Sequence, residues 1–230
     1  MIRGAPIGAR LAHCTFESFE VSDLNREPYE HCRRLAREGR PGVLLMGKNG
    51  VGKTHLLIAT MKAFDARVSD AEAPSRASRD TMVHVPTLDG LLRAAATAGD
   101  ENLDEAPRLS PDELEHAAHV EYWPLLDLTS ELRSEITRGV QEVSRQCRDC
   151  DLLVLDDLGA ERVTDFVLEE LERIVDWRYR MMKPTAVATN LKSTTEISAK
   201  YGQRALSRWS AACEITTVLG KDRRSSMNPS

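Results

Sequence analysis

Glycine, lysine and threonine in one short run have the spacing of a phosphate-binding loop. Residues 47–54 read GKNGVGKT and fit the pattern G-x-x-x-x-G-K-T. Glycines at these positions let the backbone turn so that several N–H groups point at phosphate oxygens. Lys53 adds a positive charge for the β- and γ-phosphates, and Thr54 offers a hydroxyl to Mg²⁺. The pattern therefore predicts that a nucleoside triphosphate binds here with Mg²⁺.

The sequence on either side of this loop fits a strand and a helix. Residues 42–46 read GVLLM, a short apolar run typical of a buried strand. The residues after Thr54 place apolar side chains at helical spacing, and the positive end of such a helix faces the phosphates. The residues expected to contact the nucleotide are Gly47, Lys48, Asn49, Gly50, Val51, Gly52, Lys53, Thr54 and His55.

A second motif ends in two carboxylates. Residues 151–159 read DLLVLDDLG, and the run of four apolar residues within them indicates a fully buried parallel strand. We expect Asp156 to join Thr54 as a ligand of the metal shell. Asp157 is expected to polarise the attacking water as a general base. Together with the loop, this motif predicts a site of ATP hydrolysis.

Asn190 follows another apolar run, at residues 185–189. An amide at this position can lie near the γ-phosphate and the attacking water. An asparagine that makes a turn after a strand is equally common. The local sequence leaves both interpretations open.

Strands and helices alternate along the chain, which predicts an α/β fold with a parallel sheet flanked by helices. Strands are expected at 42–46, 81–85, 151–155, 185–189 and 213–219. Helices are expected at 22–39, from the loop to about 66, from 87 to about 95, and at 112–121, 130–147, 164–182, 194–200 and 203–210. Ligands of such sheets lie at the carboxyl ends of the strands. We therefore expect the loop, the acid pair and Asn190 to meet at one edge.

Composition and charge narrow the class of protein. The chain has a formal net charge of −5, with 41% hydrophobic and 29% charged residues. The hydrophobic fraction is sufficient for a core. The negative net charge differs from the overall basic composition of an obligate DNA-binding domain. No apolar run is long enough to cross a bilayer, and the N-terminus lacks the apolar stretch of a signal peptide. We expect a cytoplasmic protein with no membrane partner.

The chain is expected to divide into two parts. Residues 1–40 are a short N-terminal segment with one helix, and residues 41–230 are the ATPase domain. Residues near 98–128 are rich in acids and proline at their start and suggest an acidic insertion. The insertion is either a solvated surface excursion or an element that docks a partner through Tyr122, Trp123 and Leu125.

The five cysteines are spread along the chain and do not suggest a disulfide framework. Cys147 and Cys150 form a C-x-x-C motif, but no second pair completes a four-ligand zinc site. The motif is either a pair of reduced structural thiols or part of a metal site.

Several segments together resemble a known family. In chain order they read GVLLMGKNGVGKTHL, DLLVLDDLGAE, ATNL, YGQRALSRW and GKDRR. They are similar to the AAA+ ATPases of the DnaC/DnaI helicase-loader group and the IstB transposition helpers. The resemblance runs from about residue 15 to 224, apart from roughly 98–128. It implies an AAA+ P-loop fold without a C-terminal helical lid, with Asn190 as the sensor residue of the ATP site.

The resemblance also implies roles for three arginines. Arg208 matches the arginine finger, which reaches the ATP of a neighbouring subunit, and Arg204 is the nearby alternative. Arg224 matches the second sensor arginine, which contacts the γ-phosphate in the same subunit, and Arg223 fits less well. A surface helix with solvated arginines is the alternative interpretation for Arg204 and Arg208.

The function that this resemblance implies is delivery of a replicative helicase onto single-stranded DNA by an ATP-driven homo-oligomer. The same ATPase serving a DNA transposase is one alternative. A binding module that uses ATP as a switch with little turnover is another. A small-molecule kinase is a further alternative, although no motif for an acceptor pocket is evident.

Overall fold

Six parallel strands form one sheet in the computed structural model, which describes residues 2–71, 118–162 and 164–223. The strands are β1 (Ile2–Gly4), β2 (Gly42–Met46), β3 (Val120–Pro124), β4 (Leu152–Leu158), β5 (Thr185–Thr189) and β6 (Cys213–Thr217). Their order across the sheet is β1-β3-β4-β5-β2-β6, and every neighbouring pair is parallel. This confirms the predicted α/β class.

Helices cover both faces of the sheet. The helices in the described ranges are α1 (Arg26–Glu38), α2 (Lys53–Ala71), α3 (Leu125–Arg138), α4 (Glu142–Asp149), α5 (Asp165–Arg180) and α6 (Thr194–Ala212), with a short 3-10 turn at Ala9–Leu11. Alternate residues of β4 enter two apolar clusters: Leu153 and Leu155 pack with α3 to α6, whereas Leu152 and Val154 pack with α1 and α2. A strand buried on both faces needs a continuous apolar run, which is why β4 is evident in the sequence.

The strand order brings the predicted site residues to one edge. The phosphate-binding loop follows β2, the acid pair lies at the end of β4, and β5 lies between these two strands. Because all three strands are parallel, their carboxyl ends point the same way and meet at a crevice. Asn190, directly after β5, therefore lies between the loop and the acids.

Within the expected insertion, residues 120–124 form β3 and residues 125–128 begin α3, so the helix expected at 112–121 is wrong at residues 120–121. Tyr122, Trp123 and Leu125 are 3%, 9% and 0% exposed, so their expected role as exposed docking anchors is wrong. Strand β3 pairs with β4, with Trp123 opposite Leu155. A buried Glu121 interrupts the apolar pattern; it pairs with His119 Nε2 at 2.6 Å and accepts from Trp123 Nε1 at 3.0 Å.

Parts of the predicted insertion, and the segments predicted between 72 and 97, lie outside the described residues. The N-terminal segment contains the expected helix, α1. It also contributes β1, which pairs with β3. Residues 2–38 therefore pack as part of the same sheet and its helical layer rather than as a segment apart from it.

The single helix expected at 130–147 is two helices. Helix α3 starts earlier, at Leu125, and stops at Arg138, because Gly139 adopts the left-handed conformation at φ 68°. The Gly139 N–H donates to the last carbonyls of the helix, a common way for a helix to end. Ile136 and Val140, which lie on either side of this break, are 57% and 44% exposed.

The two cysteines of the C-x-x-C motif contact a buried arginine. Arg178 on α5 is 1% exposed, and its Nη1 donates to the carbonyls of Cys147 and Cys150, both at 2.9 Å. Its Nε also donates to Thr185 Oγ1 at 3.0 Å, at the start of β5. Burial raises the pKa of the Cys150 thiol to about 11 and also raises that of Cys147. The structure thus places both cysteines as buried neutral thiols that link α4, α5 and β5.

Within the ranges that the structure describes, no helix combines the length and apolar character needed to cross a membrane.

The Gly139→Ala substitution is expected to lower the free energy of unfolding by about 1 kcal/mol, because the left-handed conformation is unfavourable for a residue with a Cβ. A Cβ at Gly139 meets no atom within 4 Å, so the loss reports backbone strain alone. The measurement is urea denaturation followed by circular dichroism.

Gly8→Ala is the matched control. A Cβ at Gly8 is equally free of contacts, but its φ of −60° suits any residue. Its stability is expected to match that of the wild type or to rise slightly. Equal losses for the two variants would contradict the role given to Gly139.

Candidate nucleotide-binding site

The phosphate-binding loop has a backbone that glycine adopts most easily at three positions. Gly47, Gly50 and Gly52 have φ of 151°, 79° and 106°, values that favour glycine. A Cβ at Gly52 would lie 2.8 Å from Phe19 Cε2, and a Cβ at Gly50 would overlap the Asp222 carboxylate. Helix α2 begins at Lys53, so its unpaired N–H groups face the loop. The loop and the helix start together form a site suited to an anion.

Lys53 is held at the centre of this loop. Its side chain is 5% exposed. Its Nζ donates to the carbonyls of Gly47 and Lys48, both at 2.8 Å, and to Asn190 Oδ1 at 2.7 Å. The ammonium group thus links the loop to the end of β5.

Asp156 is a buried carboxylate, 3% exposed, at an irregularity of β4. The pairing of β4 with β5 shifts between Leu155 and Leu158. Asp156 accepts hydrogen bonds from Thr54 Oγ1 at 3.2 Å and from Tyr122 OH at 3.3 Å. Burial, and then the neighbouring acid Asp157, raise its pKa, while these hydrogen bonds oppose the rise.

The pair formed by Thr54 and Asp156 fits a divalent cation. A hydroxyl and a carboxylate are hard oxygen donors, the type that Mg²⁺ prefers. A cation beside Asp156 would offset the cost of burying its negative charge. The two residues expected as metal ligands from the sequence are therefore brought together by the fold.

Asp157 points away from the sheet. It is exposed and has a left-handed φ of 54°, which is uncommon for a residue other than glycine. Asn190 Nδ2 donates to Asp157 Oδ1 at 3.4 Å. The Asn190 amide consequently joins Lys53 on one side and Asp157 on the other. The Asn190 side chain thus lies between the phosphate-binding loop and the acid pair.

Two residues around the site were not singled out as site residues from the sequence. Tyr122 donates to Asp156, and burial raises the pKa of the phenol, so it remains a neutral donor. Thr189 Oγ1 donates to the Leu158 carbonyl at 2.6 Å and fixes β5 beside β4 just beyond the irregularity. Their contacts cross between strands, so no local pattern in the sequence reveals them.

Arg208 and Arg204 on α6 lie beside Asp176 on α5 rather than at the loop. Arg208 Nε donates to Asp176 Oδ1 at 3.0 Å, and its guanidinium lies 4.7 Å from the centre of the Tyr179 ring. Arg204 Nη2 is 3.6 Å from the same carboxylate oxygen, and Arg180 Nε is 3.0 Å from the other. The Arg208 hydrogen bond and the charges of these arginines hold the pKa of Asp176 below its usual value.

The chain after β6 returns to the loop. The Arg223 N–H donates to the Gly50 carbonyl at 3.0 Å, and its Nη2 donates to the Glu20 carbonyl at 2.6 Å. Its guanidinium lies 4.6 Å from the centre of the Phe19 ring. Arg224, the arginine that the resemblance favoured, lies outside the described residues. The structure therefore places the less favoured Arg223 against the phosphate-binding loop.

His55 contacts the N-terminal segment. Its Nε2 lies 2.8 Å from the Thr15 carbonyl and 3.2 Å from Ser18 Oγ. Its ring also meets that of Phe19 edge-on, with 5.2 Å between centroids. Although we expected His55 among the nucleotide contacts, these side-chain contacts are with residues 15–19.

No protein-family model matches the chain, and no curated protein sequence matches it significantly. Solved structures do match. The DnaC helicase loader aligns over 92% of this chain and 100% of its own, with 19% identity and a TM-score of 0.65. DnaI aligns over 97% of both chains, with 17% identity and a TM-score of 0.61.

AMPPCP-bound DnaA from Aquifex aeolicus aligns over 90% of this chain but only 50% of its own, with 19% identity and a TM-score of 0.60. The chain therefore spans about half the length of that protein. At these identities the likeness concerns the fold. From its parallel sheet, its P-loop and these structural neighbours, we conclude that this chain has a P-loop α/β fold shared with DnaC, DnaI and DnaA.

Proposed function

We propose that the chain is a Mg²⁺-dependent ATPase that acts in DNA replication and delivers a replicative helicase onto single-stranded DNA. One observation carries the ATPase part of the proposal. The Asn190 amide joins Lys53 of the loop to Asp157, beside the paired Thr54 and Asp156. Groups for binding phosphate, for holding a cation and for orienting water thus meet at one sheet edge.

Binding of the triphosphate is assigned to the loop and to the start of α2. Backbone N–H groups of the loop and of the helix N-terminus donate hydrogen bonds to the phosphate oxygens, and Lys53 contacts the β- and γ-phosphates. Thr54 and Asp156 would hold Mg²⁺, which neutralises phosphate charge when bound. AMPPCP-bound DnaA shares this fold and binds a triphosphate analogue, which supports the assignment to ATP.

Hydrolysis is assigned to Asp157 and Asn190. Water attacks the γ-phosphorus, the bond from that phosphorus to the β–γ bridging oxygen breaks, and ADP leaves with that oxygen. The exposed Asp157 carboxylate orients the water and accepts its proton. Asn190 Nδ2 donates to that carboxylate, and Asn190 Oδ1 accepts from Lys53. Asn190 therefore fixes the position of the base relative to the lysine that binds phosphate.

We assign Arg208 to the ATP of a neighbouring subunit, with Arg204 as the alternative. Their side chains are 32% and 63% exposed, and both are oriented by Asp176 on α5. A cation placed on the transferred phosphoryl group stabilises the charge that develops during hydrolysis. When a second subunit supplies that cation, hydrolysis depends on assembly of the homo-oligomer.

The replication role rests on the structural neighbours. One of them is described as a helicase loader, and a DnaA structure that covers 91% of this chain at 18% identity contains single-stranded DNA. A transposase helper would use the same ATPase chemistry. An ATP-dependent switch would use the same binding residues without turnover.

Asp157→Asn is expected to lower kcat for ATP hydrolysis by about 10²- to 10⁴-fold, because the amide cannot accept the proton from water. ATP affinity, measured by isothermal titration calorimetry, is expected to change by less than about threefold, since the Lys53 contacts remain. Lys53→Ala is expected to lose affinity itself.

Asp23→Asn is the control, because its carboxylate is fully exposed and pairs only loosely with Arg26 at 3.7 Å. If the Asp157→Asn variant keeps full activity, the assignment of Asp157 as the general base is wrong. ATP-dependent assembly of the wild type without turnover would favour the switch.

The kcat of the Arg208→Ala variant is expected to be about 10³-fold lower than that of the wild type, although the variant still binds ATP. A mixture of Arg208→Ala with Lys53→Ala is expected to regain activity. In that mixture one subunit binds ATP and its neighbour supplies the missing arginine. Activity is measured as phosphate release over a range of mixing ratios.

The same mixture with Arg204→Ala decides between the two arginines. If neither arginine variant loses activity, or if no mixing ratio restores it, the proposed subunit-interface role is wrong.

Single-stranded DNA binding is expected to weaken as salt rises, because contacts to phosphates release counterions. Fluorescence anisotropy with a labelled oligonucleotide measures this, with ATP present and absent. Affinity capture from the native cell then identifies the partner, with Lys53→Ala as the control. Recovery of a replicative helicase supports the loader, whereas recovery of a transposase replaces it.

A further inference from the structure

Three potential metal ligands lie together beside the start of α2. One ring nitrogen of His13, one ring nitrogen of His55 and the Sγ of Cys14 all lie within 4.8 Å of one another. His13 is exposed, Cys14 is 3% exposed, and His55 is partly buried. His13 and Cys14 are adjacent in the chain, and the fold brings them to His55 in the first turn of α2.

We propose that His13, Cys14 and His55 form a Zn²⁺ site that holds the N-terminal segment against helix α2. Two imidazoles and one thiolate form a ligand set that Zn²⁺ prefers, with a fourth position open to water. The site is distinct from the Mg²⁺ position at Thr54 and Asp156, where the donors are hard oxygens. It does not depend on ATP hydrolysis.

The distances are compatible with coordination after a small movement. Tetrahedral Zn–N bonds of about 2.0–2.1 Å and Zn–S bonds of about 2.3 Å place neighbouring ligand atoms roughly 3.4–3.6 Å apart. The present separations, within 4.8 Å, must therefore close by roughly 1.2 to 1.4 Å at most. His13 can make this movement because its side chain is exposed, and its ring already meets that of His55 edge-on, with 6.0 Å between centroids.

His55 makes a carbonyl contact of the kind that metal-bound histidines make through their second ring nitrogen. Such a ligand usually donates its second ring N–H to a carbonyl or a carboxylate, which fixes the tautomer. Here Nε2 lies 2.8 Å from the Thr15 carbonyl. The tautomer that donates Nε2–H to this carbonyl keeps a lone pair on Nδ1. The Thr15 carbonyl is thus the outer partner that the site needs.

The backbone that carries the other two ligands is also fixed. Thr15 N–H donates to Ser18 Oγ at 3.0 Å, and Ser18 N–H donates to Thr15 Oγ1 at 3.2 Å. Lys62 Nζ on α2 donates to the Cys14 carbonyl at 3.1 Å. These bonds hold the 13–18 segment on α2 in the absence of metal. Metal binding therefore has only a small cost in conformational entropy.

Binding of the metal forms one Zn–S and two Zn–N bonds, and the Cys14 thiol proton leaves to solvent. Because His55 directly follows Thr54, the metal connects the N-terminal segment to the phosphate-binding loop. We therefore expect the bound metal to stabilise the segment and the start of α2 together.

The test uses Co²⁺ as a probe of the full-length protein without nucleotide. Metal-free wild type is expected to bind about one equivalent per chain and to show the thiolate-to-cobalt absorption band that reports a Cys ligand. Zn²⁺ is expected to displace the cobalt and to raise the thermal midpoint. Cys14→Ser is expected to lose the band, and His13→Gln to bind at least about tenfold more weakly.

His13→Gln changes an exposed side chain, so circular dichroism of the folded variant separates metal loss from unfolding. Cys32→Ala is the matched control, a buried cysteine outside the cluster that is expected to keep the band. A wild type that shows no thiolate band, or a band that persists in Cys14→Ser, would overturn the proposal.

Discussion

A single buried carboxylate dictates much of the arrangement at the sheet edge. Asp156 is 3% exposed at the tip of a central strand, and an anion in that position is costly unless polar groups surround it. The Thr54 hydroxyl, the Tyr122 phenol and the Asp157 N–H all donate to it. These donors come from the helix after the loop, from β3 and from β4 itself. The positions of three separate elements are therefore coupled through one side chain.

The irregularity of β4 and the position of Asn190 belong together. The shifted register after Leu155 directs Asp156 inward while Asp157 turns outward. Asn190, directly after the neighbouring strand β5, then contacts Asp157 on one side and Lys53 on the other. An amide suits this position because it carries both an acceptor and donors. A carboxylate would repel Asp157, and an ammonium would repel Lys53.

Features encoded locally could be predicted from the sequence, and features that depend on distant contacts could not. The loop and β4 were evident because glycine spacing and an apolar run are local signals. Strand β3 was missed because Glu121 looks like a surface residue until His119 and Trp123 are seen to neutralise it. The orientation of Arg208 depends on Asp176, on another helix, and the sequence does not reveal that pairing. Gly139 ended a helix whose periodicity continued past it, so the break was also missed.

Asp176 interacts with three guanidinium groups, those of Arg180, Arg204 and Arg208. A carboxylate with a single partner would become unpaired if that partner moved away, and the energetic cost of losing the ion pair would oppose the motion. Here two arginines remain whenever one departs. An arginine on α6 can therefore exchange this carboxylate for another anion at small cost. The redundancy makes the helix surface ready to rearrange its charges without disturbing the packing of α5 beneath it.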